Sequence, residues 1–222
     1  MQLIIHIGLP KTAVTTLSYL FENSNNINFF GRPLVCLYND IWQSMIHDNQ
    51  KKFKNRILNL KDKILKSLSK RKKNVLLIEG ITDPFFIINN NKDFVRRLNI
   101  LNKFLKIKIK IIFVMRNQSE FLLSRFVESP QFFKNYNSKW ADFEQLKEPF
   151  IRQNISKKEK IFFDNLNYYN TCKKLINYFG KKNVSLLVFE QLKNEKKIFS
   201  NKVSKILNLD KTKTYDLLRK YE

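Results

Sequence analysis

Three points along the chain carry residues suited to an anionic ligand, and each follows an apolar run. The first is Gly8-Leu9-Pro10-Lys11-Thr12-Ala13-Val14-Thr15-Thr16, set between Leu3-Ile4-Ile5-His6-Ile7 and the helical spacing of Leu17, Leu20 and Phe21. Strand, loop and helix in that order form a phosphate cradle. Successive backbone N–H groups and the helix N-terminus make a concave anion site, to which lysine and hydroxyls add. The loop departs from the nucleoside-triphosphatase pattern G-x-x-x-x-G-K-[ST]. Ala13 and Val14 occupy the sixth and seventh positions, and the lysine comes three residues early, at Lys11. That shift moves the ammonium from the far phosphates of a triphosphate toward the first one or two groups. The second point is Glu79-Gly80, after Val75-Leu76-Leu77-Ile78. The third is Arg116-Asn117, after Ile109 to Met115, with Ser124 eight residues on.

The elements that must hold these points read as strands alternating with helices. The strands are apolar throughout, as in a parallel sheet covered on both faces. A short run, Ile27 to Phe30, precedes Gly31-Arg32-Pro33. Helical periodicity covers about Ile41 to Leu68, Asp93 to Lys106, Ser119 to Val127, Asn165 to Phe179, 195–207 and 211–221, and Val184 to Phe189 is a last strand. Residues 130–163 read as loops with short helices. The expected fold is α/β, a three-layer α/β/α arrangement about a central parallel sheet of P-loop nucleotide-hydrolase type, with residues 1–222 as one domain. In such sheets ligands gather at the carboxyl ends of the strands, where all three polar points lie.

Composition bounds the rest. The 222 residues carry 42 Lys+Arg against 19 Asp+Glu, a formal net charge of +23. With 43% hydrophobic residues and 20 Phe, the chain is too apolar for a disordered basic tail. Such a surplus suits a polyanionic partner. It also follows from coding bias, because the chain is rich in Lys, Asn, Ile and Phe and its only alanines are Ala13 and Ala141. Cys36 and Cys172 are too few and too distant for a disulfide framework or a zinc site. No run reaches a membrane span, and no signal segment precedes the first strand. A reducing, cytoplasmic setting is expected, with peripheral membrane contact open to the basic surface.

His6-Ile7-Gly8-Leu9-Pro10-Lys11-Thr12-Ala13-Val14-Thr15-Thr16-Leu17 resembles the 5′-phosphosulfate loop of sulfotransferases that use 3′-phosphoadenosine 5′-phosphosulfate (PAPS), roughly P-K-[TS]-G-T-T. Ile111 to Gln118 with Ser124 is similar to the family's 3′-phosphate motif, a strand ending in Arg with Ser about eight residues later. Tyr178-Phe179-Gly180 to Val188-Phe189-Glu190-Gln191-Leu192 resembles its last helix–strand unit. The Arg116-Asn117-Gln118 triplet looks like carbohydrate-type members. The resemblance spans most of residues 3–208.

It implies a sulfuryl group moved from PAPS to a hydroxyl of an acceptor, expected to be a glycan or glycolipid, leaving adenosine 3′,5′-bisphosphate. It implies no metal and no specific nucleic acid. Lys11 would act catalytically on the departing phosphate. Thr12, Ala13, Val14, Thr15 and Thr16 would cradle the 5′ end, and Arg116 with Ser124 the 3′-phosphate. Glu79 would be the base that an acceptor hydroxyl of high pKa requires. His6 is the rival base, although a mid-strand position suits a core histidine better, and His47 reads as a bland helix residue. Residues 32–70 and 128–165 are expected to shape the acceptor side. The family's glycine is here Ala13, which costs about 1 kcal/mol if the backbone is left-handed there. The alternatives are a P-loop small-molecule kinase or NTPase, and a basic polyanion-binding module without catalysis.

Overall fold

The computed structural model describes residues 1–31, 35–81, 94–136, 142 and 157–220. The chain runs β1 (Gln2–Gly8), α1 (Val14–Glu22), β2 (Ile27–Phe30), α2 (Val35–His47), α3 (Gln50–Ser67), β3 (Lys73–Glu79), α4 (Phe94–Leu105) and β4 (Lys108–Met115). It continues through α5 (Gln118–Glu128), α6 (Pro130–Tyr136), α7 (Lys157–Leu166), α8 (Tyr168–Phe179), a 3₁₀ turn (Lys181–Asn183) and β5 (Val184–Val188). Helices α9 (Phe189–Asn194), α10 (Lys196–Leu207) and α11 (Lys211–Arg219) follow. The five strands form one sheet in the order β2-β3-β1-β4-β5, and every pairing is parallel.

The near-continuous apolar strands are explained by cover on both faces. Leu3, Ile5 and Ile7 pack with α2, α3, α4 and α8. Ile4, one residue out of phase, packs with α1, α10 and α11 on the opposite face. A third cluster joins Leu9 of the first loop to Phe121 and Leu122 of α5, Phe133 of α6, and Phe162 and Leu166 of α7. The loop is therefore anchored from beneath by a fully buried leucine.

Two long helical stretches of the sequence are each split in two. The stretch from Ile41 to Leu68 breaks at Asp48-Asn49, where the Asn49 side chain accepts from the Lys52 N–H at 2.9 Å and starts α3. The buried Arg97 of α4 donates to the carbonyls of Ser44, Met45 and Asp48, satisfying the end of α2. The stretch from Asn165 to Phe179 breaks at Asn167, which caps α8 in the same way. Side-chain capping overrides apolar periodicity at both places.

β1 and its neighbour β4 send their chains in opposite directions, to β2 and to β5. That reversal opens a crevice at their carboxyl ends.

Candidate functional site

A cleft of about 1070 Å³ lies at this reversal. Register fixes its base: Gly8 stands level with Glu79 on one side and with Val114 on the other. The polar ends of three adjacent strands therefore meet by pairing alone. Pro10, Lys11, Ala13, Val14, Thr15 and Thr16 line one side, Glu79 and Gly80 the next, and Arg116, Arg125, Glu128, Phe132 and Phe189 the far side.

The loop reaches α1 through two residues in the left-handed region, Lys11 at φ 62° and Ala13 at φ 61°. Its curl is held from within. Thr12 is fully buried, and its hydroxyl donates to the Leu9 carbonyl. The Thr12 side chain thus braces the loop and does not line the cleft. A Cβ on Gly8 would lie 2.7 Å from Thr12 Oγ1 and 3.3 Å from the Val114 carbonyl oxygen, so that position needs glycine. Ala13 provides no side-chain cap for α1, and Val14, Thr15 and Thr16 of its first turn line the cleft. An uncapped helix start facing a cleft is a site for negative charge.

Left-handed backbone costs a non-glycine residue about 1–2 kcal/mol. Ala13→Gly is therefore expected to raise unfolding stability by about 0.5–1 kcal/mol, part of the relief being offset by glycine's freedom in the unfolded chain. Urea unfolding of the two proteins measures it, and an unchanged or lower midpoint would mean that the loop is not held in this form.

Charges of both signs order the far wall. Lys11 Nζ lies 2.9 Å from Glu128 Oε1, and Arg125 donates to Glu128 Oε2 at 2.8 Å. The Lys11 ammonium first, and Arg125 second, hold the Glu128 carboxyl below its ordinary range. Arg116 donates from one NH group to the Lys11 carbonyl at 2.9 Å, and its guanidinium stacks 4.8 Å from the Phe189 ring centre. Its Nε is buried without an acceptor among the described residues. The next two residues fix the strand end in place. The Asn117 side chain caps α5, its N–H donates to Glu190 at 2.7 Å, and Gln118 Nε2 donates to the Leu166 carbonyl. Ser124, half-buried on α5 one turn from both Glu120 and Glu128, does not line the cleft.

On the opposite side Trp42 Nε1 donates to the Glu79 carbonyl at 2.8 Å, tying α2 to the end of β3. Tyr38, Asn39, Trp42 and Gln43, on one helical face, line the cleft there. Of residues 32–70, this face of α2 lines the cleft. Of 128–165, Glu128 and Phe132 take part, and residues 137–156 apart from Asp142 lie outside the described residues.

His6 is fully buried within the sheet, beside Phe21, and neither ring nitrogen has a partner among the described residues. It lies outside the cleft lining, whereas Glu79 is part of it. Burial pushes the His6 pKa from 6.5 down to about 4. As pH falls through 6.5 the unfolded chain takes up a proton that the folded chain refuses until about 4. Stability is thus present above 6.5 and is lost on acidification, by about 2–3 kcal/mol by pH ~4.5. His6→Leu is expected to remove that share of the loss, measured by denaturant unfolding at pH ~7 and ~4.5. Equal acid sensitivity in both proteins would contradict it.

No family model matches the chain, and no curated protein matches it in sequence. Solved structures do match. A sulfotransferase from Alicyclobacillus acidocaldarius superposes with a TM-score of 0.56 at 12% identity, over 94% of this chain and 81% of the other. The fold is sulfotransferase-like. A mouse sulfotransferase complexed with PAP gives a TM-score of 0.48 at 15% identity, over 99% of this chain and 63% of that one.

Within that fold, Arg125 and Phe189 line the cleft without having been singled out by the sequence, and Glu128 lay at the edge of an expected segment without an assigned partner. Phe189 had a signal, since it follows the carboxyl end of β5 as Arg116 follows β4. Arg125 and Glu128, three residues apart on α5, had none beyond their adjacency to Ser124.

Proposed function

We propose that the protein transfers a sulfuryl group from PAPS to a hydroxyl of a carbohydrate acceptor. One juxtaposition carries the reading: Lys11, Glu79 and Arg116, from three neighbouring strand ends, line one cleft beside the uncapped start of α1. The residues present fit the donor. The helix start, the Thr15 and Thr16 hydroxyls and Lys11 offer a site for its 5′ anionic end. Arg116, which lines the cleft with its guanidinium stacked on Phe189, offers one for the 3′-phosphate. When bound, PAPS supplies the activated sulfuryl group.

The chain supplies position and charge. The ammonium of Lys11 sits where negative charge develops on the leaving side, and Glu128 limits its wandering before a ligand arrives. The Glu79 carboxylate takes the proton from the attacking hydroxyl. Tyr38 and Trp42 give flat apolar faces to a sugar ring, and Asn39 and Gln43 give amides to its hydroxyls.

Incubation with PAPS labelled in its sulfuryl group, across carbohydrate, glycolipid and small-alcohol acceptors, tests this reading. Label is expected on a carbohydrate hydroxyl with the wild type, and about a thousandfold less with Lys11→Ala. Phosphoryl transfer from ATP with Mg²⁺ in place of label transfer would establish a kinase instead.

A further inference from the structure

All five strands are parallel, so their amino ends share one edge of the sheet, opposite the cleft. Lys70, Arg71 and Lys72 are exposed in the turn entering β3. Lys106 and Lys108 are exposed at the start of β4, and Lys181 and Lys182 in the 3₁₀ turn entering β5. None of these seven has an ion pair among the described residues. The pairs found there, such as Lys11–Glu128, Arg56–Asp48 and Lys63–Asp40, involve other side chains. Of the segments that enter strands at this edge, 66–78, 94–115 and 165–189 contain no Asp or Glu, while the one entering β2 carries Glu22 at the end of α1.

We propose that this edge docks the protein on an anionic lipid bilayer. The spacing of β3, β1, β4 and β5 spreads the cations over a row about 15 Å wide, and its first turn is held in place. Buried Asn74 accepts from the Ser69 N–H at 2.7 Å and donates to the carbonyls of Ser69 and Gln2, holding the first turn against β1. Met1, at the head of β1, is 58% exposed, and Tyr178, in the last turn of α8 before Lys181, is 43% exposed. An apolar tip and an aromatic ring among lysines suit the boundary of headgroup and acyl chain. Six of the seven cations are lysines, compact point charges that suit a diffuse anionic surface better than the bidentate reading of nucleic acid, which favours arginine. Docked on this edge, the protein holds its cleft away from the bilayer and open to water-borne acceptors.

Flotation with vesicles of phosphatidylcholine alone, or with about 30% phosphatidylserine, tests the proposal at ~50 mM and ~300 mM salt. Binding is expected only to the anionic vesicles and to weaken at the higher salt. Lys70→Glu, Arg71→Glu and Lys72→Glu together are expected to lower partitioning at least about tenfold. The pair Lys181→Glu and Lys182→Glu provides a second, independent lesion. A charge-matched control, Lys51→Glu, Lys52→Glu and Lys54→Glu at the exposed start of α3, is expected to bind nearly as the wild type. Equal losses in the edge and control triples would overturn the assignment, as would no preference for phosphatidylserine. Tighter binding to duplex or single-stranded nucleic acid, lost in the same edge variants, would overturn it in favour of that partner.

Discussion

Lys11→Ala is expected to lower label transfer, as kcat/KM, by about a thousandfold while leaving the protein folded. Removing one pre-placed charge or donor from a site of developing negative charge costs on the order of 10²–10³ in rate. If, as proposed, Lys11 also holds the 5′ end of the donor, the loss falls at the upper end of that range. The fold should survive for two reasons. The Lys11–Glu128 pair is about 40% exposed on each side, so it contributes little to stability. The loop's tie to β4 runs from Arg116 to the Lys11 main-chain carbonyl, which the substitution leaves in place. Steady-state kinetics together with thermal unfolding read both halves. A drop in rate of less than about tenfold, with the melting curve unchanged, would remove Lys11 from the chemistry.

Glu79→Gln is expected to cut kcat by about 10²–10⁴ with little change in nucleotide affinity. The side chains are nearly isosteric, and the main-chain carbonyl that accepts from Trp42 is untouched, so the geometry of α2 and β3 is kept. What disappears is a group able to take a proton. A carboxylate acting as base also imposes a pH dependence: kcat should fall on the acid side in the wild type, and the variant's residual rate should lack that limb. Normal transfer by Glu79→Gln would show the base assignment to be wrong. A matching loss of affinity for adenosine 3′,5′-bisphosphate would show that Glu79 acts in binding.

The sheet and the meeting of the three strand ends were legible because parallel strands buried on both faces leave an unmistakable apolar run. Three of the runs stop at a glycine or a charged residue. Gly8, Glu79 and Arg116 could be brought together from that pattern alone, and the register agrees. The left-handed Ala13 was legible as a conditional cost and is realised at φ 61°. What periodicity could not show was the use of side chains against the backbone. Asn49 and Asn167 end helices whose apolar spacing continues past them. Thr12 reads as a ligand-facing hydroxyl, yet it is spent on the Leu9 carbonyl inside the loop. Glu128 was hidden for a different reason: its importance comes from lying across space from Lys11, 117 residues away in the chain and joined only by folding.

The proposed occupant of this cleft is a nucleotide with anionic groups at both the 5′ and 3′ positions. Calorimetric titration with adenosine 3′,5′-bisphosphate, adenosine 5′-monophosphate and ATP with Mg²⁺ tests it most directly. The bisphosphate is expected to bind without metal, roughly tenfold or more tighter than the monophosphate, because its 3′-phosphate adds a closer charge-assisted partner to Arg116 than the Glu120 carboxylate at 3.9 Å. Arg116→Ala should erase that difference. Preference for ATP with Mg²⁺, or equal binding of bisphosphate and monophosphate, would contradict the assignment.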